Sequence, residues 1–316
     1  MQRFKNILLV LDPEIQETTA LETTALETAV SLARSNGARL TFISVLKEPP
    51  GFQGYNENIV QKQQDSIIAE RMEWLRSLKV SIQADDIEVV FNAVVGTPFL
   101  EVIRQVLREQ HDLVIITAEE MKGIHAHLFG TTSMHLMRKC PCPVWVVKRT
   151  QTRTYARILA AIDPSAYDPQ RDSLNPLIMQ LASSMARKET ADLHIIHAWH
   201  LYGEHYVKNI GMTEEQVREA KLHEKKRHKQ RFDDVLEKVN FTDLKPYLHL
   251  VEGHAFECIP ELVMEQGIDL LIMGSVCRTG ISGFLIGNTA EEVLNQIDCS
   301  VLVLKPEGFV TPVTLE

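Results

Sequence analysis

A loop near the carboxyl end of the chain has the residue types that bind phosphate or other anions. It follows an apolar run that ends at Gly274, and further glycines stand at Gly280 and Gly287. Glycine lets the main chain approach an anion closely, and main-chain N–H groups at the start of a helix donate to it. A helix is expected to begin at Asn288 or Thr289, which adds an amide or a hydroxyl donor. The spacing therefore predicts an anion-binding loop.

Two charged side chains extend this loop into a candidate nucleotide site. Asp163 follows another apolar run and offers hydrogen-bond acceptors to a ribose hydroxyl or a base amine, and Arg278 offers a positive charge to phosphate. The alternative is that a tight strand-to-helix loop needs its glycines regardless of any ligand. The candidate binding residues are Asp163, Gly274, Ser275, Cys277, Arg278, Gly280, Gly287, Asn288 and Thr289.

The chain contains the same construction twice. Residues 96–148 correspond to residues 253–305 at a constant offset of 157, without a gap, and Asp12 corresponds to Asp163. A period near 150 is the size of a domain rather than of a solenoid repeat. The sequence of 316 residues therefore predicts two duplicated domains, residues 1–150 and 155–308, followed by a C-terminal tail of residues 309–316. The polar segment Arg149–Ala156 is the expected linker.

Each half alternates short apolar runs with helical patterns. The runs around residues 113–116 and 270–273 are apolar at every position, which is typical of parallel strands covered by helices on both faces. The prediction is two tandem doubly wound α/β domains, each with a five-stranded parallel sheet. The expected strands are Asn6–Leu11, Arg39–Val45, Ile87–Val94, His111–Thr117, Pro143–Lys148, Arg157–Asp163, Ala191–Ala198, Lys245–Val251, Asp269–Gly274 and Ser300–Lys305.

Composition narrows the class of protein. The net charge of −9 disfavours a general nucleic-acid or anionic-membrane binder. No apolar run approaches the ~18 residues of a membrane span. Five cysteines without the spacing of a disulfide scaffold favour a reducing cytoplasm. We therefore expect a cytoplasmic protein with no specific nucleic-acid partner and no membrane attachment.

The glycine loop and its surroundings resemble those of the universal stress protein family. Nucleotide-binding members carry G-x2-G-x9-G-(S/T) at the place of Gly274–Thr289. The Val-x-Gly at 94–96 and 251–253 and the run Cys142–Lys148 are similar to the family's pattern as well. Because the similarity covers the chain twice, the protein resembles a tandem, two-domain member.

The resemblance implies a fold, a ligand and a role. It implies an adenine nucleotide alpha hydrolase-like fold in each half, and a pseudo-twofold pairing of the two halves through their fifth strands. The implied cofactor is ATP or another adenine nucleotide, with Mg²⁺. The implied role is stress tolerance, including resistance to DNA damage.

Neither copy keeps the family's motif intact. In the second half Cys277 replaces a motif glycine and Asn288 replaces a Ser or Thr. In the first half Thr117 and Glu120 replace the first two glycines, and a second glutamate stands beside Glu120, so that negative charge would repel phosphate. We therefore expect any nucleotide in the second half. The degenerate counterpart in the first half is Asp12, Thr117, Gly123, Gly130 and Thr131.

The function indicated is ligand or nucleotide sensing by a protein that is not a rapid enzyme. The alternatives are a slow ATPase that uses the second glycine loop, or a scaffold that binds a partner without nucleotide. No catalytic set is present, and a phosphoacceptor role for Asp12 or Asp163 is disfavoured because each precedes a proline and lacks an acidic companion. The expected partners are a small-molecule ligand or a protein, and a second copy in a possible homodimer besides the intramolecular pseudo-dimer.

Other conspicuous residues have simpler explanations. His194, His197 and His200 are three residues apart, so that neighbours face opposite sides of a strand, and we expect no metal site. The basic stretch Lys221–Arg231 is interpreted as the solvated face of one long helix. Cys140 and Cys142 have no second pair at metal-ligand spacing, which favours packing.

Overall fold

A computed structural model shows two compact units. It describes residues 3–12, 20–47, 57–82, 84–118, 129–148, 154–164, 172–201, 203, 213–275 and 287–315. Within these, residues 3–148 with 309–315 form one unit, called domain 1, and residues 154–275 with 287–308 form the other, called domain 2. Most of the predicted linker, residues 149–153, lies outside the described residues.

Domain 1 is a parallel sheet with helices between its strands. The described elements are β1 (Asn6–Leu11), α1 (Ala20–Asn36), β2 (Arg39–Leu46), α2 (Glu57–Ser81), β3 (Val89–Val95), α3 (Pro98–Glu109), β4 (Leu113–Thr117), α4 (Thr131–Lys139) and β5 (Val144–Val147). The strand order is β3-β2-β1-β4-β5. Every pairing between these neighbours is parallel.

Domain 2 repeats this architecture. Its described elements are β6 (Arg157–Ala161), α5 (Leu174–Glu189), β7 (Asp192–Trp199), α6 (Glu214–Leu236), β8 (Tyr247–Glu252), α7 (Ala255–Gln266), β9 (Leu270–Gly274), α8 (Asn288–Leu294) and β10 (Ser300–Leu304). The order β10-β9-β6-β7-β8 is the same arrangement in duplicate, again with parallel pairings. The predicted α/β class and the ten predicted strands are confirmed, with ends that differ by one or two residues.

The core of each domain lies around the strand that follows the third helix. All five residues of β4 are buried, as are the first four of β9, because helices cover both faces of the sheet. The outer strands β3 and β8 are only partly buried. The switch in strand order falls between β1 and β4 in domain 1, and between β6 and β9 in domain 2. Ligands of such sheets bind at the carboxyl ends of these strands.

The duplicated aspartates Asp112 and Asp269 have the same structural task. The Asp112 carboxylate accepts hydrogen bonds from the main-chain N–H groups of Lys5 and Asn6, at 2.6 and 3.1 Å. Asp269 accepts them from Ala156 and Arg157, at 2.9 and 2.8 Å. Each carboxylate therefore satisfies main-chain donors at the start of its domain's first strand, which explains why the residue recurs without a catalytic role.

The carboxyl-terminal residues pack within domain 1. The Nε of Arg104, on α3, donates to the main-chain oxygen of Thr314 at 3.2 Å. The segment predicted as a tail after domain 2 thus contacts the first domain's third helix.

Candidate functional site

A cavity of about 380 Å³ opens at the carboxyl edge of the domain 2 sheet. This lies within the ~300–1,000 Å³ typical of small-molecule sites. One part of its wall is aliphatic, from Ile162, Leu174, Ile178 and Ile259. The rest carries polar and aromatic groups from β6, α5, β7, α6, α7 and α8 or the residues next to them. These are Asp163, Asn175, His197, Trp199, His200, His228, His254, Phe256 and Thr289.

Asp163 is held in this cavity through its main chain. The Asn175 side chain, on the first turn of α5, accepts from the Asp163 N–H at 2.9 Å and donates to the Asp163 carbonyl at 2.9 Å. Asn175 is 1% exposed, and both bonds are partly buried. This double contact fixes the main chain at the point where β6 leaves the sheet.

A buried and a partly buried histidine form a pair on the α6 side of the cavity. The Nε2 atom of His197, on β7, lies 2.8 Å from Nδ1 of His228, on α6. Burial lowers the pKa of His197 to about 4 although Asp163 acts to raise it. Burial also lowers the pKa of His228, against the influence of Glu224. Both rings are therefore neutral at pH 7, and each presents a hydrogen-bonding edge without a fixed charge.

Aromatic rings line the opening of the cavity. His200 and His254 lie with ring centroids 4.3 Å apart, and His254 stacks on Phe256 at 5.2 Å. Trp199 is 2% exposed and lies 5.9 Å from the His228 ring. Rings in such a cluster offer faces and edges to a flat, aromatic ligand.

The structure brings three of the sequence-predicted residues together. Asp163, Gly274 and Thr289 all line the cavity. Gly287 caps α8 and Asn288 begins it, so both are next to Thr289. Cys277, Arg278 and Gly280 lie outside the described residues.

Ser275 lies apart from the cavity lining. It is buried, its Oγ donates to the Leu304 carbonyl at 3.3 Å, and it accepts from Nζ of Lys305 at 2.9 Å. In this arrangement its hydroxyl links β9 to the end of β10.

Gly274 has a packing role besides any ligand role. A Cβ atom there would lie 2.7 Å from Cδ1 of Leu174, which is closer than carbon atoms pack. The absence of a side chain lets α5 approach β9 and shapes the apolar wall of the cavity. The structural explanation for this glycine therefore holds whether or not a phosphate approaches it.

The corresponding corner of domain 1 is filled by an arginine. Arg71, on α2, is 6% exposed; its Nε donates to Ser44 Oγ at 2.9 Å and its Nη2 donates to the Asp12 carbonyl. Its guanidinium also lies 3.7 Å from the centre of the Trp74 ring. The predicted counterpart residues Thr117 and Gly130 are buried and Thr131 is exposed, whereas Gly123 lies outside the described residues.

Sequence reasoning missed the residues that come from distant elements. Asn175, His228 and Arg71 are separated by 12, 31 and 27 residues from the partners that they contact. Alignment of the two halves could have pointed to these residues. Ser44 and His197 are equivalent at the offset of 153 that also relates residues 37–43 to 190–196.

His194 and the basic stretch have partners within the described residues. His194 stacks on Tyr247 and on His249 of β8, whereas His197 contacts α6, so the two histidines do face opposite sides of β7. The predicted long helix is α6, which begins with a capping box between Thr213 and Gln216. Ion pairs on it or from it include Lys221–Glu252, Arg227–Glu224 and Lys229–Asp233.

The part of the chain that the structure describes has no metal-ligand cluster and no helix that could span a membrane. There, no group of three or more His, Cys, Asp or Glu side chains has metal-binding geometry. The Sγ atoms of Cys140 and Cys142 are 3.6 Å apart and buried. None of the described helices is both long and apolar enough to cross a bilayer.

Comparisons with known proteins agree with the duplicated fold. The family model "Universal stress protein family" matches residues 3–148 and again residues 154–305. Universal stress protein E of Salmonella typhi is 28% identical over 330 aligned residues, which cover 100% of this chain and 99% of that protein. Its counterpart in Escherichia coli K12 is 27% identical, with 100% and 98% coverage.

Solved structures show the same tandem fold. A putative universal stress protein from Pseudomonas aeruginosa UCBPP-PA14 matches with a TM-score of 0.69 and 25% identity, over 98% of this chain and 95% of that one. One from Archaeoglobus fulgidus matches with a TM-score of 0.60 and 18% identity, over 94% and 98%. The two family matches together span nearly the whole sequence, and the chain belongs to the universal stress protein family as a tandem member similar to universal stress protein E.

Proposed function

We propose that this protein binds an adenine nucleotide or a related flat ligand in the domain 2 cavity and signals or buffers that ligand during stress. The observation that carries the proposal is the cavity itself. The cavity has a volume of about 380 Å³. It is lined by an acceptor at Asp163, by aromatic rings at Trp199 and His254, and by a hydroxyl at Thr289. These are the contacts that a base and a ribose require.

The residues present fit the base and ribose part of such a ligand. Asp163 is an acceptor for a ribose hydroxyl or a base amine, because Asn175 holds its main chain in place. The neutral His197–His228 pair adds hydrogen-bonding edges without repelling or attracting a charge. Phosphate groups would extend toward Gly274 and Thr289, and Mg²⁺ would be carried by the phosphates.

The proposal places the ligand in one domain only. In domain 1 the Arg71 side chain occupies the corner between Asp12 and Ser44, the positions that correspond to Asp163 and His197. Domain 1, residues 1–150, then serves as a structural partner for domain 2, residues 155–308. In this proposal the protein acts in the cytoplasm. It also supports survival after DNA damage.

Calorimetry on the full-length protein tests the ligand. ATP, ADP and adenosine, each with and without Mg²⁺, are titrated into the wild type, Asp163→Asn and Asp12→Asn. One site per chain is expected, weakened about tenfold or more by Asp163→Asn, because the negative charge is lost and an NH2 donor replaces one of the two acceptor oxygens. Asp12→Asn is the matched change in domain 1. If no adenine compound binds, or if Asp12→Asn alone abolishes binding, the proposal is wrong.

Two further measurements separate the alternatives. Phosphate release from ATP, lost in Gly287→Ala, would identify the slow ATPase instead of a binding protein. Survival of a deletion strain after DNA damage, complemented by the wild type but not by Asp163→Asn, tests whether the ligand matters for stress tolerance. Full complementation by Asp163→Asn would assign the stress role to a surface that binds a partner without nucleotide.

A further inference from the structure

Two positions that contact each other in both domains carry different residues. Arg71 and His228 differ by 157 in number, and Ser44 and His197 differ by 153. Burial along the two helices agrees at the same offset, since the buried Leu75 and Leu78 correspond to the buried Phe232 and Val235. The strands agree too, because Ser44 pairs with Ala93 and His197 pairs with Leu250, again 157 apart.

In domain 1 the pair closes the carboxyl edge of the first two strands. The Arg71 side chain reaches past Ser44 to the Asp12 carbonyl, so one guanidinium bridges the ends of β1 and β2. The stacking contact with Trp74 holds the guanidinium from the helix side. Because the guanidinium is planar and permanently charged, this bridge does not depend on pH near neutrality.

In domain 2 the same pair leaves this edge open. A histidine is shorter than an arginine, and His228 reaches His197 at 2.8 Å, while Asn175 of α5 occupies the Asp163 carbonyl instead. Asp163, His197 and His228, the counterparts of Asp12, Ser44 and Arg71, all line the domain 2 cavity.

We propose that this pair of positions is a gate that decides which domain admits a ligand. Ser44–Arg71 is its closed form, and His197–His228 is its open form. The gate selects a ligand with a flat, uncharged ring, because the open form presents neutral imidazoles and the neighbouring Trp199 instead of a fixed cation. The biological meaning of the gate rests on the proposed ligand function. Access to the cavity, in contrast, depends only on which residue pair, Ser44–Arg71 or His197–His228, is present.

The gate is tested first in domain 2 by His228→Arg in the full-length protein. Indole, a flat probe without phosphate, is titrated while methyl signals of Ile162, Ile178 and Ile259 in the cavity wall are followed by NMR. Wild-type protein is expected to show saturable shifts at these methyls. His228→Arg is expected to weaken indole and ATP binding about tenfold or more, because the longer side chain reaches the Asp163 carbonyl and fills the cavity.

Two comparisons separate the gate from general effects. Gln230→Arg adds the same side chain at an exposed position on α6, two residues away, and serves as the control. His228→Gln removes the ring without the reach of an arginine, so it is expected to weaken binding much less than His228→Arg. Equal losses in these two His228 variants would overturn the gate in favour of a direct ligand contact by the imidazole.

The reciprocal change is made in domain 1. Ser44→His with Arg71→His installs the open pair, and new indole shifts are expected at Leu11 and Val102, the positions equivalent to Ile162 and Ile259. If this double variant fails to fold, His228→Arg decides alone, because unchanged indole binding there would overturn the proposal. A wild type that binds no indole and no nucleotide would overturn it as well. Indole binding without any nucleotide binding would refute the proposed function and leave the gate standing.

Discussion

The Asn175 side chain bonds both main-chain polar groups of Asp163, accepting from its N–H and donating to its carbonyl, each at 2.9 Å. A side-chain amide is one of the few groups that can satisfy an N–H and a C=O at once, because it carries a donor and an acceptor side by side. The contact continues the hydrogen bonding of β6 beyond its last sheet residue, so that the strand's end is rigid where the candidate ligand would bind.

Removal of this amide should affect stability and ligand binding together. Asn175→Ala is expected to lower the free energy of unfolding by about 1–3 kcal/mol, because two partly buried main-chain groups lose their partner. Ligand affinity should fall as well, since Asp163 is no longer held in position. Urea denaturation and calorimetry measure the two effects. Asn175→Asp keeps an acceptor but buries a carboxylate against the Asp163 carbonyl and near Asp172, so a loss at least as large is expected. Equal stability of all three proteins would refute the assigned contact.

The glycine after each third strand should be irreplaceable for a steric reason. Gly253 has φ +149, and a Cβ atom there would lie 2.6 Å from Sγ of Cys258. Gly253→Ala is therefore expected to destabilise the protein by about 1–3 kcal/mol.

Gly37→Ala is the matched comparison for Gly253→Ala. Gly37 also has a positive φ, of +58, but nothing lies within 4 Å of its added Cβ. Gly37→Ala should therefore lower the free energy of unfolding only by the conformational strain of an alanine at positive φ, about 1–2 kcal/mol. Thermal unfolding of the two variants ranks them, and a larger loss for Gly37→Ala would show that the contact with Cys258 relaxes freely.

The departures of the glycine loop from the family's pattern give a prediction from sequence alone. Cys277→Gly should strengthen nucleotide binding, because it restores close approach of the main chain to phosphate. Glu120→Gly in the first half should do little by itself, since a second glutamate remains beside it. Calorimetry with ATP on both variants checks this, and a weaker affinity in Cys277→Gly would contradict a phosphate position at this loop.

Sequence periodicity predicted most of the fold because it reflects local properties that repeat. The apolar runs that become β4 and β9 are buried on both faces, and this can be read from a single window of sequence. Strand ends were less certain: β6 was expected to reach Asp163 but ends at Ala161, because the pairing with β7 stops there while Asn175 holds the chain beyond it.

The candidate site was predicted only where its residues come directly after strands. Asp163 and Gly274 could be identified because the carboxyl edge of a doubly wound sheet is where ligands bind. His228 lies within a basic stretch of a long helix, and nothing in that stretch indicates which of its residues faces the sheet. Comparison of the two copies would have isolated it, because Arg71 at the equivalent position is a different kind of side chain at a buried place.

The neutral histidines should make the protein's stability depend on pH on the acidic side of neutrality. The pKa of His197 falls from 6.5 to about 4 because burial penalises the charged ring, and Arg231 and His228 oppose protonation while Asp163 favours it. In the unfolded chain the same ring titrates near its ordinary value. Between those two pH values the unfolded state binds more protons than the folded state, so the free energy of unfolding falls as the pH falls.

The size of this effect follows from the shift. The contribution of His197 to the free energy of unfolding is fully present above about pH 6.5 and is lost progressively down to about pH 4. A pKa shift of this size corresponds to a free energy on the order of 3 kcal/mol. His111 in domain 1 is a second source with the same sign, since burial lowers its pKa to about 4 as well. His228 acts in the same direction, because burial lowers its pKa. Arg227 lowers this pKa further, whereas Glu224 raises it.

Urea denaturation at several pH values between about 4.5 and 7.5 tests this linkage. The wild type should lose stability steadily as the pH falls, and His197→Gln should show a shallower slope because one of the depressed groups is gone, whatever its stability at pH 7. His223→Gln, at an exposed position on α6, is the control. NMR titration of the imidazole signals gives the direct readout: a His197 ring that protonates near pH 6.5 in the folded protein would show that the ring is hydrated, and the His197–His228 contact would then not be a buried neutral pair.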